Sequence, residues 1–334
     1  MRRRRVNWTR RVLSCAFVFC MVMYSVIIVV NFFMNNEDRV RADLAREMID
    51  NQAPVIELNG GDSMTLAVGD VLCEPGFRAY DDRSIPKVEV EELVNTRQPG
   101  EYVINYHASD DSGNIAEAQR NVKVIEPSGR IYLTFDDGPG DYTGALLDVL
   151  AKYNVKATFF VTGYGDDALI KREYDEGHTV GLHSSSHDYS YVYSSIDNYM
   201  ADLNAVSNRV YNITGKRMKL IRFPGGSSNL ISTYYDGGNH IMSRLVELVS
   251  SENYVYFDWN VDSGDAAGVD SSDQIYNNVV SALKPGGDSV VLQHDIKRPS
   301  VEAVEKIIQY GLENNFVFSK LRTDSFNAHH GVNN

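Results

Sequence analysis

Cysteine is scarce in this chain, with three among 334 residues. So few, and so scattered, they exclude a disulfide scaffold and any zinc site built from thiolates. Basic residues are also in deficit: 32 Lys and Arg face 45 Asp and Glu, a formal net charge of −13. That balance argues against a general nucleic-acid binder, which needs a basic face to neutralise phosphates. With 43% apolar and 23% charged residues the chain is neither a disordered tail nor a fibre. Its length accommodates two domains, each able to bury a core.

Charge is missing altogether from Val12 to Met34, a run of 23 residues. As a helix this run spans about 34 Å, enough for a hydrocarbon layer of about 30 Å. Immediately before it stand six of the 32 basic residues, Arg2, Arg3, Arg4, Arg5, Arg10 and Arg11, with no acid among them. The rest of the chain carries 26 basic against 45 acidic residues. Residues 1–34 therefore read as a cytoplasmic arginine stub and an uncleaved single-pass anchor in the cell membrane, with the bulk of the protein extracytoplasmic. A cleaved signal peptide has an apolar core of about 7–15 residues ending at small side chains. This run is longer and ends in Asn31-Phe32-Phe33-Met34. A lipoprotein reading of Val12-Leu13-Ser14-Cys15 fails because the apolar run follows the cysteine. Cys15 and Cys20 then lie in lipid, leaving Cys73 alone outside. In residues 35–52, Val40, Leu44 and Met48 recur every four positions, so this stretch reads as a helical stalk that Pro54 ends.

Helical periodicity is absent from residues 53–126. Tyr102, Ile104 and Tyr106 alternate with Val103, Asn105 and His107, and Val122 and Val124 alternate with Lys123 and Ile125, the period of half-buried strands. Turn clusters punctuate them, among them Asn59-Gly60-Gly61-Asp62, Gln98-Pro99-Gly100 and Asp110-Asp111-Ser112-Gly113-Asn114. A small all-β sandwich follows, with Tyr102 and Tyr106 as interior residues. The Asp110–Asn114 run has calcium-like composition, but a hairpin turn needs no metal, and the turn is the preferred reading. The layout resembles bacterial immunoglobulin-like modules of cell-surface proteins, which implies a spacer or wall-contacting role.

From Arg130 onward strand-like and helix-like segments alternate. Strands begin near Ile131, Ala157, His178, Leu220, Tyr254, Ser289 and Phe316. The clearest helix follows Ile196, Met200, Leu203, Val206, Val210 and Ile213. Another starts at a Ser271–Gln274 capping box and stops at Pro285-Gly286-Gly287. Seven strands alternating with helices imply a parallel sheet, open or closed as a barrel, with chemistry at the C-terminal strand ends.

Those ends carry the polar residues. The first strand runs into Asp136-Asp137-Gly138-Pro139, where adjacent carboxylates make most sense beside a cation or a proton. The third ends in His183-Ser184-Ser185-Ser186-His187, a spacing that places two imidazoles on one side of a helical turn, as metal ligands require. An Asp from another strand end would complete a three-ligand site with room for water. Arg222 with Pro224-Gly225-Gly226 ends the fourth strand, Asp258 to Asp265 continues the fifth, and His294-Asp295 ends the sixth. Each alone is ordinary; five at one edge are not.

The order T-F-D-D-G-P, H-S-x-x-H, R-x-P-G, D-x-x-D and L-x-H, over residues 127–325, is similar to carbohydrate esterase family 4, the polysaccharide deacetylases with a NodB homology domain. The resemblance implies a distorted (β/α) barrel and hydrolysis of N-acetyl groups. By it, Asp137, His183 and His187 bind a divalent metal, zinc with cobalt as an alternative. Asp136 is the general base and His294 the general acid, Arg222 orients Asp136, and Asp265 orients and tunes His294. The backbone N–H of Gly225 is the candidate oxyanion donor beside the metal.

Two positions depart from the family. Gly225 and Gly226 stand after the proline where many members have Tyr, and Ala266 follows Asp265 where many have Trp. Tyr189, Tyr191, Tyr193, Tyr234 and Tyr235 are candidates to stack on sugar rings in their place, with ordinary packing the alternative for each. The expected whole is a stub and anchor (1–34), stalk (35–52), immunoglobulin-like module (53–126), catalytic domain (127–325) and tail (326–334). Its expected substrate is N-acetylglucosamine of peptidoglycan. An O-acetyl polysaccharide esterase and a catalytically weak glycan-binding surface protein are the alternatives.

Overall fold

The computed structural model describes residues 8–47 and 50–333; the arginines at positions 2–5 lie outside them, and nothing is described of the side chains at 10 and 11. The chain forms two compact units. The first holds the described part of Met1–Glu57 with Arg78–Glu89 and Tyr106–Ala118; the second holds Leu58–Phe77, Val90–Asn105 and the described part of Gln119–Asn334.

Helix α1 (Trp8–Glu47) is one uninterrupted helix of 40 residues, so helical backbone continues from the apolar run through the expected stalk to Glu47. Within it, Phe19–Arg41 has a mean hydropathy of 1.7 and none of its window is buried. That exposure separates it from a core helix; by length and composition it suits a membrane anchor or a signal sequence.

The β-rich segment supplies β1 (Val55–Leu58), β2 (Ser63–Ala67), β3 (Phe77–Tyr80), β4 (Lys87–Glu92), β5 (Gly100–Ser109) and β6 (Ile115–Ile125). They form a four-stranded sheet in the order β2-β6-β5-β4 and a β1–β3 pair. The period-two pattern is realised: Ile104, Tyr106 and Ala108 of β5 are buried, as are Arg120, Val122 and Val124 of β6. Tyr102 is only half-buried, its hydroxyl donating to Gln98 O. The Asp110 carboxylate accepts from Ser112 N, Asn114 N and Asn114 Nδ2, so its lone pairs serve the turn.

The α/β segment comprises β7 (Gly129–Asp136), α2 (Thr143–Lys152), β8 (Thr158–Thr162), α3 (Asp167–Asp175), β9 (Thr179–Ser184), α4 (Tyr189–Val192), α5 (Ile196–Thr214), β10 (Leu220–Ile221), α6 (Ile241–Ser251), β11 (Val255–Tyr256), β12 (Val261–Asp262), α7 (Ser272–Ala282), β13 (Asp288–His294), α8 (Arg298–Glu313) and β14 (Phe316–Phe318). All seven anticipated strands are present, and β12 is an additional two-residue strand. The sheet runs β11-β10-β9-β8-β7-β13-β12, with β14 also beside β7. Its pairings are parallel. The order begins and ends on β11 and β12, which do not pair, so the sheet curls as a half-barrel. Ser271 caps α7 by accepting from Gln274 N, and α5 stops at Gly215, whose φ of 71° few residues but glycine adopt.

Alternation along β7 decides what reaches the site. Ile131, Leu133 and Phe135 join the large core beneath the helices, while Tyr132 belongs to a separate cluster with Phe160, Leu220, Phe257, Val290, Leu321 and Ala328. Thr134 and Asp136 follow Tyr132 on that inner face. Both faces of β7 are buried, the mark of a central parallel strand.

Candidate active site

Asp136 and Asp137 end β7 but point apart, because Asp137 takes a φ of +71° while Asp136 is still strand. Asp tolerates this left-handed conformation better than most residues. Asp136, almost fully buried, accepts from Arg222 Nη1 at 2.8 Å. Arg222 has no exposed surface and uses its whole fork: Nη1 also reaches Thr134 Oγ1 at 2.7 Å, Nε donates to Phe257 O at 2.9 Å, and Nη2 donates to Asp258 O at 2.9 Å. A cation fixed in this way fixes the direction of the carboxylate.

Asp137 Oδ1 is buried without a hydrogen-bond partner, yet His183 Nε2 lies 3.5 Å and His187 Nε2 3.3 Å away. Ligand atoms of the three residues all fall within 4.8 Å of one another. His183 Nδ1 sits 2.7 Å from Arg222 O; as donor there it leaves Nε2 as the free lone pair. Burial lowers the His183 pKa despite the neighbouring carboxylates, so the ring is held neutral, as a ligand must be. One carboxylate oxygen and two imidazole nitrogens form a donor set that fits a divalent metal ion, and the unpartnered Asp137 oxygen fits that role.

The two histidines do not share a helical turn as their spacing suggests. His183 is in β9 and His187 follows in a bend with a φ of +50°. The cause is Asp202 on α5, whose carboxylate takes Ser184 Oγ and Ser185 N at 2.6 Å and Ser186 N at 2.9 Å. These bonds hold the backbone turn between the two histidines in place.

Opposite Asp137, His294 ends β13, its Nε2 3.8 Å from Asp137 Oδ2. His294 Nδ1–H donates to Asp265 Oδ1 at 2.8 Å, and Asp265 Oδ2 accepts from His294 N and Ser300 Oγ. Burial alone would depress the His294 pKa, but the Asp265 hydrogen bond and the surrounding carboxylates outweigh it and hold the pKa above its usual value. Asp265 is shifted the other way: burial would raise it, and the bonds from His294 and Ser300 bring it below the ordinary range. Each partner of the pair thus favours the charged form of the other.

Gly225 lies exposed at the rim with a φ of +75°, next to Tyr189, whose ring meets His187 edge-on at 5.3 Å. A Cβ on Gly226 would sit 3.0 Å from the Trp259 indole, so that ring occupies the room beside it. Ala266 is exposed in the turn Asp265–Ala267. Of the five candidate tyrosines, Tyr193 is removed from the list: it is fully buried, and its hydroxyl donates to Pro224 O at 2.7 Å. Tyr189 is half-buried and stacks on Tyr193; Tyr191, Tyr234 and Tyr235 are exposed. The sequence reading gave no role to Thr134 and Asp258, which lie within its motif segments, and did not reach Asp202 and Ser300. Only Asp202 left a signal, an acid within the apolar stripe of α5.

Comparison with known proteins bears on the family and the fold. Residues 123–235 match the family "Polysaccharide deacetylase", and residues 56–124 match "Bacterial surface protein, Ig-like domain". The chain is 36% identical over 203 residues to a peptidoglycan-N-acetylglucosamine deacetylase of Bacillus cereus, covering 58% of this chain and 70% of that one. The solved catalytic domain of a peptidoglycan N-acetylglucosamine deacetylase from Eubacterium rectale is 50% identical, with a TM-score of 0.60, covering 61% of this chain and 94% of that one. A polysaccharide deacetylase from Bacillus cereus superposes with a TM-score of 0.52 at 34% identity, covering 60% and 95%. Sequence, sheet and site chemistry converge, and this chain belongs to the polysaccharide deacetylase family of hydrolases, joined to a bacterial immunoglobulin-like module.

Proposed function

We propose that this protein removes N-acetyl groups from N-acetylglucosamine in peptidoglycan, using a divalent metal, zinc or cobalt, held by Asp137, His183 and His187. The observation that carries the reading is the buried, unpartnered Asp137 oxygen flanked by two imidazole nitrogens, with Asp136 and His294 on either side. Bound there, the metal would act as a Lewis acid toward an amide carbonyl and lower the pKa of a water. Asp136, aimed by Arg222, accepts the proton of the attacking water. The Gly225 N–H is the candidate donor to the developing oxyanion. His294, charged and braced by Asp265, gives its proton to the departing amine, releasing acetate and a glucosamine unit. The exposed Tyr191, Tyr234 and Tyr235 offer faces for neighbouring sugar rings.

Peptidoglycan is favoured because two of the three relatives named above are peptidoglycan N-acetylglucosamine deacetylases and because α1 suits a membrane anchor. In this reading the arginine-rich N-terminus stays in the cytoplasm, the catalytic segment lies outside, and the immunoglobulin-like module is a spacer. The reading divides the chain into stub and anchor (1–34), stalk (35–52), immunoglobulin-like module (53–126), catalytic domain (127–325) and tail (326–334). The deciding experiment is acetate release by the purified chain from cell-wall sacculi, chitin oligosaccharides and acetylated xylan, with and without a chelator. Activity on xylan alone, or activity indifferent to chelation, would overturn the proposal.

A further inference from the structure

The last residues of the chain are stitched into the seam where the half-barrel fails to close. Strands β11 and β12 are neighbours in sequence but not in the sheet, and Phe257–Asn260 bridges between them. The tail lies along this bridge. Asp258 N donates to Ala328 O at 2.9 Å, and Ala328 is buried in the inner cluster. His329 lies flat on Tyr256, with ring centroids 3.7 Å apart. His330 N donates to Asp258 Oδ2 at 2.9 Å, its Nε2–H donates to Trp259 O at 2.7 Å, and its Nδ1 accepts from Ser228 Oγ at 3.1 Å.

Asp258 is the knot of this seam. Its carboxylate has no exposed surface and accepts three donors, Ser227 N at 2.8 Å, Ser227 Oγ at 2.5 Å and the His330 amide. One carboxylate therefore joins the loop after Arg222, the bridge and the tail. The carbonyls of Phe257 and Asp258, in the same bridge, are the acceptors that set the plane of the Arg222 guanidinium, and Arg222 aims Asp136. An unclamped bridge at an open sheet edge would leave its backbone groups to water and the two carbonyls free to tilt.

We infer that the C-terminal tail belongs to the active site at one remove: His330 is a positioning residue that clamps the Phe257–Asp258 bridge and so fixes the Arg222–Asp136 pair. The inference rests on the reading of Asp136 as the base. It adds that catalysis depends on a residue beyond the last strand, β14 (Phe316–Phe318), which touches neither substrate nor metal ligand.

The test uses the full chain in detergent, loaded with zinc, releasing acetate from chitin oligosaccharides. In His330→Ala, kcat is expected to fall about tenfold, near 1.4 kcal/mol of barrier, with KM and bound zinc unchanged. His330→Gln, whose amide can still donate to Trp259 O, is expected to recover most of the loss. Unchanged kcat in His330→Ala overturns the inference, as does a rise in KM at constant kcat, which would make the tail a substrate contact. Equal loss in His330→Ala and His330→Gln overturns it too. Should His330→Ala not fold, Ser228→Ala removes only the hydroxyl on Nδ1 and is expected to lower kcat about threefold; no change there is equally fatal. Asp136→Asn runs alongside. If it retains activity, the underlying reading of the base fails, whereas an inactive Asp136→Asn beside a fully active His330→Ala rejects the tail alone.

Discussion

Replacing Arg222 by Lys keeps the charge and removes the fork. Four acceptors surround the guanidinium: Asp136 Oδ1, Thr134 Oγ1, Phe257 O and Asp258 O, all within 2.9 Å of a donor. A lysine ammonium concentrates its donors at one point and cannot span them. Placed toward Asp136 and Thr134, it abandons the two carbonyls. Each buried acceptor left unpaired costs about 1–3 kcal/mol, so the fold should lose roughly 2–6 kcal/mol. The cation–π contact of Arg222 with Phe160, at 4.3 Å, goes with it. Trp259 reports the change directly, since its ring lies 5.8 Å from the guanidinium and the chain's other tryptophan, Trp8, is in α1. Urea unfolding followed by fluorescence should show an earlier midpoint for Arg222→Lys. Acetate release should fall at least about a hundredfold, the scale of a misdirected general base. An unchanged midpoint together with near-normal acetate release would refute the assignment of Arg222 as the group that organises Asp136.

Asp136→Asn should retain bound metal while losing acetate release by about 10²–10⁴-fold; elemental analysis paired with the activity assay checks both halves. His187→Ala should lose most of its metal, and stoichiometry equal to the parent would reject it as a ligand. Because the His294 pKa is raised, its proton is present below the ordinary value of 6.5 and is lost only as pH climbs past the folded value, so kcat should decline on an alkaline limb lying above 6.5. Asp265→Asn should draw that limb to lower pH, and a pH–rate profile that stays put would count against their coupling. Asp295, fully buried, is pushed by burial up to about 7, so the folded state holds its proton where the unfolded chain, with an ordinary value of 3.8, has released it. Its contribution to stability is therefore lost as pH rises from about 4 through 7. Asp295→Asn should flatten that part of the stability curve; an identical pH dependence in both proteins would contradict this.

What the sequence disclosed followed from period and from order. The alternation in β5 and β6 and the repeat along α5 were readable because burial on one face imposes them. Asp136, Asp137, His183, His187, Arg222, Asp265 and His294 were readable because the motifs sit at successive strand ends. Other features were hidden for identifiable reasons. The bend between His183 and His187 is imposed by Asp202, fifteen residues beyond His187, and no local spacing shows a carboxylate arriving from another element. Tyr193 reads like its exposed neighbours Tyr191 and Tyr234, and only the fold sends its hydroxyl to Pro224 O. The two-residue β12 is too short to have a period. The tail's engagement with Asp258 depends on contacts more than 70 positions apart in sequence.

The pairing of β7 with β13 runs without slip from Asp288 opposite Arg130 to His294 opposite Asp136. Asp136 and His294, the proposed base and acid, are therefore rungs of one backbone ladder, while the exposed tyrosines stand on segments between the strands. Substrate preference and proton chemistry are thereby separable for protein engineering: the segments bearing Tyr191, Tyr234 and Tyr235 can be exchanged to redirect the enzyme toward another glycan while the spacing of its two proton-transfer groups stays set by strand register.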